Sequence, residues 1–148
     1  PQKTMSLAIA GGDSPYLSEL KRLVQGLGHS SSVKFLGYVK DDELPSLYRN
    51  AQCLAYPSKL EGFGLPLLDA MASGCPVVSS DAASLAEVGG DATLQCAPDD
   101  VDDWAESILG LVLDPKIRAE YKARGLARVQ QFSWDRTADR VEQVLTMA

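Results

Sequence analysis

The chain reads as an α/β fold: a parallel sheet of about five strands with helices on both faces. Three observations across its 148 residues predict this. Short apolar runs, each bounded by glycine, proline or aspartate, recur as far as Pro98 and have the length of buried strands. Segments with apolar residues at helical spacing lie between them. Strands alternating with helices in this way specify parallel pairing with helical cover on either side.

Ser6–Gly12, SLAIAGG, is the first apolar run and ends in a pair of glycines. A helix is expected next. Leu17, Leu20, Leu23, Val24 and Leu27 fall at helical spacing, Ser14 is a candidate N-cap, Pro15 suits the first helical position and Gly28 is the stop. Ser32–Val39 reads as the second strand, and Asp41–Asn50 as a short helix whose acidic residues sit at its positive end. Ala51–Ser58 is the third strand. LPLLDAMASG is the third helix, with Pro66 in its first turn and Gly74 past its end. Cys75–Asp81 gives a fourth strand, SLAEVGG a helical turn and ATLQCAP a shorter fifth strand. Three helical segments follow: VDDWAESILGLVLD, PKIRAEYKARGLARVQQF and SWDRTADRVEQVLTMA. Trp104 and Trp134 read as packing residues of these helices, and Ser133 as the N-cap of the last, with Asp135 at its positive end. No repeat, low-complexity stretch or linker interrupts the pattern, so residues 1–148 are expected to form one domain.

Composition narrows the function classes. With 45% hydrophobic and 23% charged residues, the chain is ordinary for a globular protein. A net charge of -6 and scattered basic residues argue against nucleic-acid binding. A small anion remains open, because N–H groups at a helix N-terminus hold phosphate without net positive charge. Cys53, Cys75 and Cys96 have no CxxC spacing and sit in apolar runs, so they read as reduced core thiols of a cytoplasmic protein. His29 is the sole histidine and follows a Gly-Leu-Gly helix end; a loop or capping role fits it, since a metal site needs several convergent ligands. No apolar run reaches the roughly 18 residues of a membrane span, and no charged segment followed by an apolar one opens the chain, so no membrane insertion is expected. The abrupt start on a strand points to a piece of a longer chain.

In an open parallel sheet the carboxyl ends of the strands share one edge, and loops and helix N-termini collect there. Gly11–Asp13, Gly37–Val39, Ser58–Gly64 and Ser80–Ser84 are all expected on that edge. The chemistry concentrates in SKLEGFGLPLLDAMASGCPVVSSD, residues 58–81. Gly62-Phe63-Gly64 directly precedes the helix beginning near Leu65, so bare amides and the positive dipole end would face the crevice. Glycine lets an anion approach the backbone closely. Glu61 stands before this loop and Asp69 one turn inside the helix. Carboxylates beside an anion site suit hydroxyl donors, and sugar and ribose hydroxyls are the natural partners. A plain structural reading also fits: a capping Glu61, a solvated Asp69 and glycines serving a tight turn. Two nucleotide motifs are missing. GGDSPY is not G-x-G-x-x-G, the second strand ends in Gly37-Tyr38 rather than an acid, and no G-x-x-x-x-G-K-[ST] occurs.

IAGGDSPY, VKFLGYVKDDELPSLYRNA, YPSKLEGFGLPLLDAMASGCPVVSSD, SLAEVGGDA and FSWDRTA, in that order, resemble the C-terminal, nucleotide-sugar-binding half of family 4 retaining glycosyltransferases of the GT-B fold. The likeness runs from about Leu7 to the end. It implies a Rossmann-like sheet and a two-domain parent whose N-terminal acceptor domain is missing here. The family's signature, Glu, seven residues, then Glu, reads here as Glu61, GFGLPLL and Asp69. By resemblance, Glu61 is the catalytic-site carboxylate and contacts hydroxyls of the donor sugar. The Phe63–Leu65 backbone holds the diphosphate or sugar, Asp69 takes the ribose hydroxyls, and Gly37, Tyr38 and Val39 border the base. Gly11, Gly12, Ser58, Gly62 and Gly64 complete the implied donor-binding set.

The resemblance further implies hexose transfer from a UDP- or GDP-linked donor to a polysaccharide, glycolipid or glycan precursor, without a metal or cofactor; no Asp-x-Asp pair lies beside the crevice. Ser84-Leu85-Ala86-Glu87-Val88 resembles a variant found among mannosyl- and rhamnosyl-type members, and both nucleotides stay open. Glu87 serves either that loop or its own helix turn. Two departures stand out. Asp69 is one methylene short of the signature's glutamate, and the Arg/Lys pair that neutralises the diphosphate lies partly upstream, with Lys3 not matching it. Lys59 reads as a neighbour of the phosphates or as a solvated loop lysine. The chain alone is expected to bind a nucleotide sugar yet transfer little, and its parent to be cytoplasmic, compatible with peripheral membrane attachment. The last helix is expected to cross towards the missing domain and so to leave an apolar face exposed here. A non-catalytic nucleotide-sensing or scaffold module is the alternative; a sugar-nucleotide epimerase accounts poorly for the Glu61–Asp69 segment.

Overall fold

The computed structural model describes residues 5–147, so Lys3 lies outside the described residues. In chain order the elements are β1 (Leu7–Ala10), α1 (Leu17–Gly26), β2 (Val33–Gly37), α2 (Leu44–Asn50), β3 (Leu54–Tyr56), α3 (Leu65–Ala72), β4 (Val77–Ser80), α4 (Ala83–Gly89), β5 (Thr93–Cys96), α5 (Val101–Leu113), α6 (Pro115–Val129) and α7 (Trp134–Thr146). A short 3-10 turn, Gly90–Ala92, links α4 to β5. The expected alternation and parallel pairing are present, with the five strands divided between two sheets, β1-β2 and β3-β4-β5. The chain packs as two compact units, one up to Leu44 and the other from Pro45.

In the first unit, Leu7, Ala8 and Ile9 of β1 pair with Val33, Lys34 and Phe35 of β2, and a bulge then sets Ala10 opposite Gly37. α1 starts later than the sequence predicts. The Ser14 hydroxyl accepts the Tyr16 N–H at 3.1 Å, so Ser14 and Pro15 close a turn before the helix instead of capping it. Asp41, Asp42 and Glu43 likewise fall in a turn ahead of α2, not in its first turn, because the Lys40 carbonyl accepts the N–H groups of both Glu43 and Leu44. No described residue up to Leu44 is fully buried.

The second unit is built around β4, all four of whose residues are buried. Successive side chains of a strand point to opposite faces. Val77 therefore joins a core with Leu67, Leu68, Ala70 and Met71 of α3 and Leu85 and Val88 of α4, while Val78 joins another with Cys96 and with Trp104 and Leu111 of α5. Each fully buried Leu or Val stabilises the fold by about 1.5–3 kcal/mol relative to exposure. Gly125 lets α6 approach α3: a Cβ there would lie 3.1 Å from Met71 Cγ. Trp104 packs as expected and donates its indole N–H to the Ala97 carbonyl at 3.0 Å. Trp134 does not. It is 82% exposed on α7, a helix that buries none of its residues and leaves Val141, Val144 and Leu145 in solvent as well. Ser133 caps α7 as the sequence predicts, accepting the Arg136 N–H at 3.2 Å.

Cys75 and Cys96 are buried, Cys53 half-buried, and all are free thiols. Burial pushes the Cys75 thiol up to about 12 and raises Cys53 and Cys96 as well. Among the described residues, no helix is long and apolar enough to cross a membrane.

Candidate functional site

The sequence-predicted site residues fall into two groups. Ser58, Glu61, Gly62 and Phe63 form the loop after β3, Gly64 is the N-cap of α3, Leu65 is its first residue and Asp69 lies within it. Gly64 holds φ 104° and ψ 42°, a left-handed conformation that favours glycine. A Cβ on it would lie 2.5 Å from Leu85 Cδ2, and Leu85 is fully buried. Pro66, without an N–H, fits the first turn. Among the described residues no side chain caps α3, so the positive end of the helix has no side-chain acceptor. Beyond Ser73 the chain leaves the helix through a left-handed Gly74, whose N–H donates to the Met71 carbonyl while the Cys75 N–H donates to Ala70, each at 2.9 Å.

The loop leading to α3 is tied down from several directions. The Ser80 hydroxyl, at the end of β4, donates to the Ser58 carbonyl. Ser58 donates its own hydroxyl to the Leu60 carbonyl at 3.1 Å. The Ser84 hydroxyl, in the first turn of α4, donates to the Glu61 carbonyl at 2.8 Å. Tyr56, the last residue of β3, donates its hydroxyl to Glu61 Oε1 at 2.7 Å. Phe63 meets Phe132 edge-on, with ring centroids 6.0 Å apart and planes at 79°. Phe132 in turn lies under the Arg128 guanidinium, which donates to the Val88 and Glu87 carbonyls at the end of α4. Glu87 itself is exposed, and its carbonyl, not its carboxylate, is the group Arg128 holds.

Sequence reasoning did not find Tyr56, Ser84 or Phe132 as anchors. The Ser80–Ser84 loop and the FSW segment were marked only by position and by likeness, and a contact between residues so distant in the chain leaves no trace in one sequence. The Tyr56 phenol is raised to about 12, first by burial, then by its hydrogen bond to Glu61 and by that carboxylate's charge. It is therefore a protonated donor at any ordinary pH. Tyr48 is raised too, mainly by burial and next by the charge of Asp69. Asp69 is exposed on α3. Lys59 Nζ contacts Asp99 Oδ1, and both side chains are largely in solvent.

Gly11, Gly12, Gly37, Tyr38 and Val39 belong to the first unit. The Gly11 N–H donates to the Gly37 carbonyl at 2.9 Å, joining the carboxyl ends of β1 and β2. Gly11, Gly12 and Gly37 line an open cavity of about 410 Å³ together with Asp13, Lys21 and Phe35. Tyr38 is 73% exposed, and neither it nor Val39 lines the cavity. Lys21, whose ammonium sits 5.6 Å from the Phe35 ring centroid, is a lining cation that the sequence did not single out.

An uncapped helix end can take an anion, and an oriented carboxylate beside it can take hydroxyl donors. The chain resembles known proteins along most of its length. The O-antigen chain mannosyltransferase B of Escherichia coli is 47% identical over 116 residues, which cover 78% of this chain and 30% of that protein. The D-inositol 3-phosphate glycosyltransferase of Corynebacterium jeikeium is 35% identical over 150 residues, covering 97% of this chain and 36% of its own. The chain thus spans about a third of the length of these relatives. Among solved structures, Alr3699/HepE of Anabaena, in complex with UDP, superposes with a TM-score of 0.89 at 24% identity, over 100% of this chain and 42% of that one. The structural neighbours are GT-B glycosyltransferases. Residues 2–128 match the profile of the family described as Glycosyl transferases group 1, and the chain belongs to that family.

Proposed function

We propose that this chain is the donor-binding domain of a longer, family 4 retaining glycosyltransferase that transfers a hexose from a UDP- or GDP-linked sugar to a polysaccharide, glycolipid or glycan precursor. The observation that carries the reading is the Glu61–Gly64 loop, a carboxylate oriented by Tyr56 at the approach to a helix end that no side chain caps. The departing nucleoside diphosphate would meet the amides of that helix end while the anomeric carbon gains positive character, with Glu61 on the sugar hydroxyls and Asp69 on the ribose. A mannosyltransferase among the relatives and a UDP complex among the structural neighbours support this direction. The reading extends to a cytoplasmic parent completed by an acceptor domain, and to donor binding without a resident metal or cofactor.

Calorimetric titration of the chain with UDP and GDP tests it. One of the two is expected to bind, unchanged by EDTA, and Asp69→Ala is expected to weaken that binding about tenfold, the scale of a hydrogen bond to a charged group. A folded sample that binds neither nucleotide refutes the reading. A second reading, a non-catalytic nucleotide-sugar module, draws on Asp69 standing where the signature has glutamate and on Lys59 being occupied by Asp99. Turnover of a nucleotide sugar by the whole parent protein separates the two.

A further inference from the structure

We propose that Tyr56 is a positioning residue for Glu61: its hydroxyl fixes one carboxylate oxygen so that the other is presented to a hydroxyl of the donor sugar. The proposal rests on the donor reading given above. Tyr56 ends β3, and its backbone is paired with Ser79 of the buried strand β4. Its ring packs against the core formed by α3, α4 and β4, so both ends of the side chain are fixed. The hydroxyl reaches Glu61 Oε1 at 2.7 Å, the length of a charge-assisted bond. Ser84 meanwhile holds the Glu61 main-chain carbonyl. Glu61 is thus anchored through its backbone by α4 and through its carboxylate by β3, while Oε2 carries no hydrogen bond among the described residues.

A long acidic side chain left free would lose its rotamer freedom each time a ligand ordered it. Here that entropy is lost on folding, and the sugar meets a preset acceptor. The contact concerns Glu61 and the sugar, not the nucleotide, and this sets it apart from a merely structural tyrosine.

The test uses Tyr56→Phe, which keeps the ring in the core and removes only the donor, with UDP, UDP-glucose, GDP and GDP-mannose as titrants. Tyr56→Phe should leave the affinity for the bare nucleoside diphosphate within about twofold and lower that for its sugar conjugate about three- to tenfold. Glu61→Gln should cost the conjugate at least as much, and the double variant no more than Glu61→Gln alone, because both act through one contact. Equal losses for nucleotide and conjugate, or additive losses in the double variant, overturn the proposal while leaving the donor reading intact. A wild-type chain that binds no nucleotide sinks the donor reading and this proposal with it.

Alkaline titration of the phenols checks the contact without any ligand. Glu61→Gln should bring the late ionisation near 12 partly down, since the neighbouring charge goes and any hydrogen bond that remains is to a neutral amide oxygen, while the burial stays. The sign for stability follows from the raised value. The folded chain holds the phenol proton more tightly than the unfolded one, so this contribution is complete below the ordinary tyrosine value of about 10 and is lost as pH rises through the folded one. Tyr56→Phe should remove that alkaline dependence. A late phenol unmoved by Glu61→Gln overturns the proposal.

Discussion

The two units use the same order of strand, glycine and helix, yet they support their loops very differently. In the first, β1 has only Ile9 half-buried, and Leu23 and Leu27 at the end of α1 are 57% and 62% exposed. In the second, every residue of β4 is buried, and Leu67 and Met71 of α3 are 0% and 1% exposed. A pair of strands with one helix buries little by itself, whereas three strands with apolar clusters on both faces make a rigid base. The glycines repeat the contrast. A Cβ on Gly11, Gly12 or Gly37 would meet nothing within 4 Å, while one on Gly64 would strike Leu85. The glycines of the first unit surround open space, and Gly64 is locked by what packs against it.

The largest effect that tests this contrast is a core deletion. Leu67→Ala removes a side chain packed from all sides by α3, α4 and β4, and should destabilise the chain by about 2–5 kcal/mol. Leu23→Ala, on the exposed end of α1, should stay within about 0.5 kcal/mol. Urea unfolding of both variants measures the difference. Comparable losses would show that the first unit has a core of its own weight, and the contrast would break.

Next in size is the glycine pair. Gly64→Ala must adopt a left-handed backbone and displace Leu85 Cδ2, which together should cost about 2–4 kcal/mol. Gly12→Ala has open space and should cost within about 0.5 kcal/mol. The same urea measurement applies. A Gly64→Ala variant as stable as the wild type would mean that the entry to α3 can rearrange freely, and that the loop is not preset.

How much of this could be read in the sequence follows the same division. The elements of the second unit announce themselves, because Val77 and Val78 make a run that only a strand buried on both faces explains, and Pro66 and Gly74 bracket α3. Glu61, Gly64 and Asp69 stand out in the sequence as candidates, from spacing and from family likeness. What holds Glu61 does not: Tyr56 looks like any aromatic at a strand end, and Ser84 like any small residue opening a helix. Those roles exist only once β3 and α4 are brought beside the loop. In the first unit local hydrogen bonding displaced the expected boundaries, as Ser14 closed a turn where a helix cap was predicted. Trp134 was misjudged for a related reason, since an aromatic at helical spacing implies a partner surface without supplying one, and α7 has none of its residues buried.

The smallest expected effect concerns Lys59 in the second unit and Lys21 in the first. Lys59 pairs with Asp99, but the two side chains are 67% and 82% exposed, and ion pairs in such surroundings contribute about 0–1 kcal/mol. Lys59→Ala should therefore hardly change stability. With its ammonium already neutralised by Asp99, it should also leave UDP or GDP affinity unchanged at physiological salt. Lys21 borders the cavity of Gly11, Gly12 and Gly37 and has no carboxylate partner among the described residues, only the Phe35 ring. A cation near one ring at an exposed position contributes about 0.5–1 kcal/mol, so Lys21→Ala should also cost little, again measured by urea unfolding. A clear loss of UDP or GDP affinity in Lys59→Ala would mean that the Lys59–Asp99 pair opens for the ligand, and that the rigid loop of the second unit carries one mobile charge.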